Sequence, residues 1–245
     1  MRIDAHLQIG VGRYYRVDPG HMIEQMDRCG IDQALVSPVD REMAVYNREG
    51  NDRVLALSKQ FPGRFLAYAT ANPWYEGAAV AELERALGEG AAAVKLHPPL
   101  QGFMILESLV YPLIEVAARH RAPIYVHTGT PVYALPLQLA ELALTYPEVS
   151  FIMGKNGKTD FTMDALPALE KASNLYGDTA HDFPERGMAR LSKKIGPERL
   201  IFSSNHPVSR IELEVDKVRE LAVNDDDKAA VMGGNMQRLL AARFH

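Results

Sequence analysis

Eight times along the chain a short, mostly apolar run is followed by a longer stretch with apolar residues at helical spacing. That alternation commits a chain to parallel strands joined by helical crossovers, because each strand must bury both faces and each helix one. The strand candidates are Arg2 to Leu7, Gln33 to Ser37, Phe65 to Ala69, Ala93 to Leu96, Ile124 to His127, Ser150 to Met153, Leu175 to Asp178 and Leu200 to Phe202. Between and after them the helical pattern covers Met22 to Cys29, Val54 to Phe61, Val80 to Leu87, Leu109 to His120, Leu137 to Tyr146, Ala165 to Ala172, Met188 to Ile195 and Leu213 to Leu221. Gly30, Pro62-Gly63, Gly88 and Gly196-Pro197 stand where helices of this register should stop. Eight such units predict an α/β fold of the TIM (β/α)8 barrel type. The tail from Asp225 adds one or two short helices broken at Gly233-Gly234, with Asp225, Asp226 and Asp227 read as a solvated helix start.

At 245 residues the chain could hold one large domain or two small ones, and no linker or composition break divides it. One barrel over residues 1 to 245 is the expectation. An apolar fraction of 47% and a charged fraction of 24% are those of a globular protein and exclude disorder. A net charge of -4 offers no footprint for nucleic acid or an anionic membrane, which leaves small molecules as the favoured partners. Cys29 is the single cysteine, Met1 to Gly10 lacks the layout of a signal peptide, and no apolar run is long enough to span a bilayer. The expected location is the cytoplasm, and the expected assembly a homodimer.

In a parallel barrel the chemistry gathers at the carboxyl ends of the strands. Period-two alternation predicts that Asp4, His6 and Gln8 share the interior face of the first strand. Lys95 and His97 close the fourth strand, His127 the fifth, Lys155 and Asn156 follow the sixth, and Asn205 and His206 follow the eighth. Four of the eight histidines fall in this set, which shifts the reading from isolated core histidines toward a site. His97 is expected to cap the turn before Pro98-Pro99. Arg13, Tyr15 and Arg16 lie in the loop after the first strand, where an arginine would suit a carboxylate. Trp74, after the third strand, is a candidate pocket wall, and His181, beside Asp182 after the seventh, a candidate general base.

With these residues in order the chain resembles the amidohydrolase-related family of metal-dependent hydrolases and decarboxylases, over essentially its whole length. The marks are Ile3-Asp4-Ala5-His6, Val94-Lys95-Leu96-His97-Pro98, Ile124-Tyr125-Val126-His127, Ile152-Met153-Gly154 with Gly157, Phe202 and Ser204, and Gly234-Asn235 with Leu239-Leu240. The resemblance implies a TIM barrel holding one divalent ion, zinc or manganese, between a His-x-His pair on the first strand, a histidine ending the fifth and an aspartate after the eighth. A histidine after the sixth strand would assist proton transfer. On that pattern His6, His127 and Gln8 occupy the metal positions, Lys155, Asn205 and His181 the catalytic ones, and Lys95, Arg13, Trp74 and His206 are left to bind substrate.

Three of the positions carry unexpected residues: Gln8 and Lys155 stand where the family has histidine, and Asn205 where it has aspartate. Neutral amides are poor donors to zinc, and Asn205 has no basic oxygen to take a proton from water. Lys155 could supply the charge that an ion otherwise brings, with Asp4 as its partner, or, beside Lys95, could lose its proton and attack a carbonyl. The readings left open are a hydrolase or decarboxylase acting on a small, carboxylated substrate, a catalytically silent or metal-free barrel binding a small anion or a protein partner, and a variant engineered to be inactive.

Overall fold

The computed structural model describes residues 1–158, 160–182 and 187–244. Eight of its strands form one parallel sheet in sequence order: β1 (Ile3–Gln8), β2 (Gln33–Ser37), β3 (Phe65–Ala69), β4 (Ala93–Leu96), β5 (Ile124–His127), β6 (Phe151–Gly154), β7 (Leu175–Asp178) and β8 (Leu200–Ile201). The sheet closes on itself through main-chain bonds between β1 and the segment leaving β8: Ala5 N–H to Phe202 O at 2.9 Å, Asn205 N–H to His6 O at 3.0 Å and Gln8 N–H to His206 O at 2.9 Å. This is the predicted barrel, and the strand boundaries agree with the sequence reading to within a residue.

Among the described residues eight helices ring it: α1 (Pro19–Cys29), α2 (Asn47–Gln60), α3 (Glu76–Gly88), α4 (Tyr111–Arg119), α5 (Pro136–Thr145), α6 (Ala165–Lys171), α7 (Ala189–Ile195) and α8 (Ile211–Arg219). The first illustrates why they form where they do. Asp18 caps α1 by accepting from Gly20 N–H at 2.9 Å and His21 N–H at 3.1 Å, and Pro19 occupies the first turn, where no donor is needed. Met22, Met26 and Cys29 bury one stripe, and Gly30, at φ 67°, ends the helix in the left-handed conformation that costs a glycine little. Gly196 stops α7 at φ 85° and ψ 147°, a different positive-φ conformation that likewise favours glycine. No helix among the described residues is long and apolar enough to cross a membrane.

The loop after β1 contains a two-stranded antiparallel ribbon, Gly10–Val11 with Arg16–Val17. Its strands are too short for alternation to register in the sequence. In the tail, helices at Asp225–Ala229 and Asn235–Phe244 flank a kink at Ala230–Gly234, and the cap of the first is Asn224, which accepts from Asp227 N–H at 2.8 Å while the three aspartates fill the first turn. The last helix plugs the barrel floor: Met236, Leu239 and Leu240 join Ile3, Ala5, Leu35, Tyr68, Tyr125, Ile152 and Ile201 in the interior cluster. Asn235 pins it by donating to Pro197 O at 2.9 Å and Leu200 O at 2.8 Å.

One expectation is corrected. The pairing of β1 with β2 shifts register between Asp4 and Leu7. Such an irregularity breaks the period of two, so Ile3 and Ala5 pack in the interior cluster and Asp4 is out of step with His6. One oxygen of the Asp4 carboxylate accepts main-chain N–H groups from His6 at 3.1 Å and Ser204 at 2.9 Å, clamping β1 to the segment after β8.

Candidate active site

The floor of the mouth is built from β1, β2, β4 and β5. Lys95 on β4 is fully buried, and its Nζ is hydrogen-bonded to His6 Nε2 and donates to Ser37 Oγ at 3.2 Å. The His6 ring stacks on Tyr125, centroids 4.6 Å apart and 23° between planes. Tyr125 in turn donates its hydroxyl to Asp178 Oδ2 at 2.6 Å. Gly154, closing β6, makes room for that reach: a Cβ there would lie 2.6 Å from Tyr125 Cε1.

Asp178 is the hub of the β7 side. Besides Tyr125, its Oδ2 accepts Lys155 N–H at 3.0 Å, and its Oδ1 accepts Ser203 Oγ–H at 2.7 Å and Ala180 N–H at 2.9 Å. Its own N–H donates to Asn156 Oδ1 at 3.0 Å. All four groups on the carboxylate are donors, which only an acceptor satisfies. Asp178, and not Asp4, is therefore the carboxylate that faces the lysines.

Above this floor stand a stacked imidazole pair and an imidazole–amide pair. His97 and His127 stack with centroids 3.9 Å apart and 18° between planes, and His97 Nδ1 also accepts Leu100 N–H at 3.3 Å, capping the short helix Pro98–Gln101 as expected. His181 Nε2 is 2.8 Å from Asn205 Nδ2, an amide donor that holds the ring as an acceptor at that nitrogen. The main chain of His181 is fixed from both sides, its N–H by the buried Glu214 at 3.3 Å and its carbonyl by Lys158 Nζ. At the β1 end Gln8 Oε1 accepts the hydroxyl of Tyr15, which folds back from the ribbon.

Lys155 is half-buried among these groups, and its Nζ has neither a hydrogen bond nor an ion pair among the described residues. Its charge opposes protonation of His6, Lys95, His97, His127 and His181 alike. Burial, reinforced by neighbouring cations, pushes His97 down to about 3 and Lys95 to about 7. His6 and His127 lie well below the ordinary imidazole range for the same reasons. Burial also lowers Lys155, opposed by the Asp178 carboxylate. Asp4 moves the other way, up to about 7, because its buried carboxyl loses solvation that two main-chain donors do not replace.

Four consecutive or facing rim residues hold left-handed backbone: Lys155 at φ 61°, Asn156 at 47°, His181 at 61° and Asn205 at 52°. None is a glycine, so each conformation costs free energy and persists only where surrounding bonds impose it. The hydrogen bonds of Asp178, Glu214 and Asn205 impose it here.

Of the sequence candidates, the fold brings together His6, Lys95, His127, Lys155, His181 and Asn205, with Gln8 at the edge. Three stand apart. Arg13 is exposed on the ribbon, its guanidinium 5.2 Å from the Tyr14 ring centroid and its N–H bonded to Asp40. Trp74 is 54% exposed and donates Nε1–H to Gly102 O at 2.8 Å, which makes it part of the outer rim. His206 lends its main chain to barrel closure, and the charges that its ring feels are Glu212 and His21, not the lysines. Sequence reasoning missed Asp178, Ser37 and Tyr125. The first two were discoverable by the rule that found the others, since each is the polar residue that closes its strand.

A divalent ion does not fit these residues. Among those described, no three His, Cys, Asp or Glu side chains converge. His6 Nε2 is held by Lys95, Gln8 Oε1 by Tyr15, and the Asn205 amide by His181. The buried, unpartnered His6 Nδ1 and Asp4 Oδ2 are joined by no third donor. An ammonium ~4 Å from a divalent ion would cost roughly 8 kcal/mol at an effective dielectric of about 20, twice the unit-charge figure.

The amidohydrolase family model matches residues 3–241. No curated protein matches the sequence. Among solved structures the chain is similar to 5-carboxyvanillate decarboxylase from Novosphingobium aromaticivorans complexed with manganese and 4-hydroxy-3-methoxy-5-nitrobenzoic acid, at 14% identity over 98% of this chain and 96% of that one, TM-score 0.80. It is similar also to dihydroxybenzoic acid decarboxylase from a Polaromonas species with bound manganese and 2-nitroresorcinol (17% identity, 98% and 96% covered, TM-score 0.78). A third is 2,6-dihydroxybenzoate decarboxylase from Rhizobium (18% identity, 98% of each chain covered, TM-score 0.76). At these identities the likeness speaks for the fold.

Proposed function

The chain belongs to the amidohydrolase family, and on that premise we propose that it is an enzyme of the hydrolase or decarboxylase type. It acts on a small carboxylated substrate at the barrel mouth, with lysine cations in place of a resident metal ion. The observation that carries this reading is the pair Lys95 and Lys155, the first bonded to His6 Nε2 and the second without a side-chain partner among the described residues. A pocket that holds two lysines against one carboxylate attracts anions, and low surrounding dielectric strengthens that attraction. The three decarboxylases above act on carboxylated aromatic compounds, which supports a carboxylate as the group recognised.

The chain's own residues divide the work. Lys155, half-buried and free at Nζ, meets the substrate anion and stabilises negative charge as it develops at the reacting centre. Lys95 maintains the positive field from below. His181, kept as an acceptor at Nε2 by Asn205 and held below the ordinary imidazole range chiefly by burial, is the unprotonated base that takes and returns protons. Asp178 orders Lys155 through its N–H and carries the compensating charge.

The test uses the only tryptophan, Trp74 on the rim, as the reporter. Benzoate is expected to quench or shift its emission saturably in the wild-type protein and to lose that effect in Lys155→Met. Protein purified without chelator is expected to hold no stoichiometric zinc or manganese, and neither metal is expected to raise its melting temperature. One tightly bound ion per chain, removed by His6→Ala, would overturn the metal-free reading.

A further inference from the structure

We propose that Lys155 is a covalent catalyst, its Nζ forming an imine with the ketone of a small 3-oxo carboxylic acid so that the substrate loses its carboxylate as carbon dioxide. This rests on the carboxylate reading above and names the substrate class that the same mouth would take.

Three features of the mouth select this residue. A nucleophilic amine must be free, and Lys155 Nζ alone of the two pocket lysines has no partner among the described residues, whereas Lys95 is fully buried and engaged by His6 and Ser37. The amine must also be placed, and the main chain of Lys155 is fixed at φ 61° by the Asp178 carboxylate. Finally it must spend time unprotonated. Burial lowers Lys155, and the other groups that share its field, His6, His97, His127, His181 and Lys95, add no negative charge, so among the described residues Asp178 is the carboxylate that opposes that shift.

The chemistry balances within the site and water. The Lys155 nitrogen lone pair attacks the ketone carbon, and the carbonyl π pair moves to oxygen. His181 Nε2 relays one proton from nitrogen to that oxygen, a second proton comes from solvent, and the oxygen leaves as water to give an iminium ion. The bond between the α-carbon and the carboxylate then breaks, its electron pair forms the enamine double bond, and the iminium π pair returns to nitrogen. Carbon dioxide departs, the α-carbon takes a proton, and water hydrolyses the resulting iminium to free the ketone and Lys155. The positive nitrogen supplies at the reacting carbon what a metal would supply from outside it, with no added oxidant or reductant. No arginine clamps the carboxylate among the described residues of the mouth, since Arg13 points to Tyr14.

The experiment incubates the full chain with acetoacetate and cyanoborohydride and locates any adduct by peptide mass spectrometry. A reduced adduct on Lys155 is expected, with release of carbon dioxide in the absence of reductant. Lys155→Arg keeps the charge but cannot form an imine. It is expected to bind benzoate by Trp74 emission, which also reports that it is folded, and to give no adduct. Adducts confined to Lys95 or to surface lysines, or none at all in wild-type protein that binds benzoate, would overturn the imine and leave the carboxylate reading standing. A wild-type protein that neither binds benzoate nor is trapped would overturn both.

Discussion

Replacing Asp178 by Asn tests the central element of the site without changing its volume. The carboxylate accepts four hydrogen bonds, from the Tyr125 hydroxyl, Lys155 N–H, the Ser203 hydroxyl and Ala180 N–H, at 2.6 to 3.0 Å and with no solvent contact. An amide keeps one oxygen, so two donors retain a partner and two meet an N–H2 group instead. Hydrogen bonds to a charged group are worth about 1.5–3 kcal/mol each, which puts the loss at roughly 3–6 kcal/mol. Removing one partner of a buried charged cluster costs ~3–5 kcal/mol on independent grounds, in agreement. For a chain of this length the melting temperature should fall by on the order of 10 °C. Urea unfolding followed by far-UV circular dichroism gives the free energy, and Ser203→Ala, which removes one donor and leaves the carboxylate, should cost about 1.5–3 kcal/mol, half the loss in Asp178→Asn. A loss under about 1 kcal/mol in Asp178→Asn would refute the hub, because an interior carboxylate with four real donors cannot be neutralised so cheaply.

Two further outcomes follow from the same geometry. Lys95 is pushed from 10.5 down to about 7 in the folded chain, so between these values the unfolded chain binds more protons and stability rises with pH. The full amplitude is on the order of 5 kcal/mol. Asp4, raised from 3.8 to about 7, binds more protons folded than unfolded, so its contribution falls as pH rises between those values. Urea midpoints should therefore dip near pH 7, with Lys95→Met removing the alkaline rise and Asp4→Asn the acid-side fall; a flat alkaline limb in wild type would contradict the buried lysine. Gly154→Ala should cost about 1–3 kcal/mol by overpacking, because the new methyl meets Tyr125 Cε1 at 2.6 Å and Val126 O at 2.7 Å. It should also weaken benzoate binding as Tyr125 leaves Asp178, and thermal melts with Trp74 titrations check both.

Most of the barrel was legible because its signals are local. A strand of four or five apolar residues followed by a capped, striped helix announces itself, and Gly30 and Gly196 end their helices where expected. What escaped is what depends on neighbours distant in sequence. The register shift after Asp4 arises from β1 pairing on one side with β2 and on the other with the segment from Phe202 to His206, some 200 positions away. Alternation within a single strand carries no trace of that demand, so Asp4 was assigned to the wrong face and to the wrong role.

The site shows the same division with a sharper consequence. Rim position told which residues would gather, and Lys155, Lys95, His6, His127, His181 and Asn205 do gather; it could not tell their partners, because a side chain's charge is balanced across strands. Asp178 ends β7, yet it governs Tyr125 on β5, Lys155 after β6 and Ser203 after β8. That arrangement makes the substitutions Gln8, Lys155 and Asn205 mutually consistent rather than three separate losses. Gln8 becomes a partner for Tyr15, Asn205 a donor that orients His181, and Lys155 the free cation above a carboxylate already satisfied by four donors. Here the changed residues are bonded to neighbours or poised in the mouth, as expected of a pocket rebuilt around a lysine.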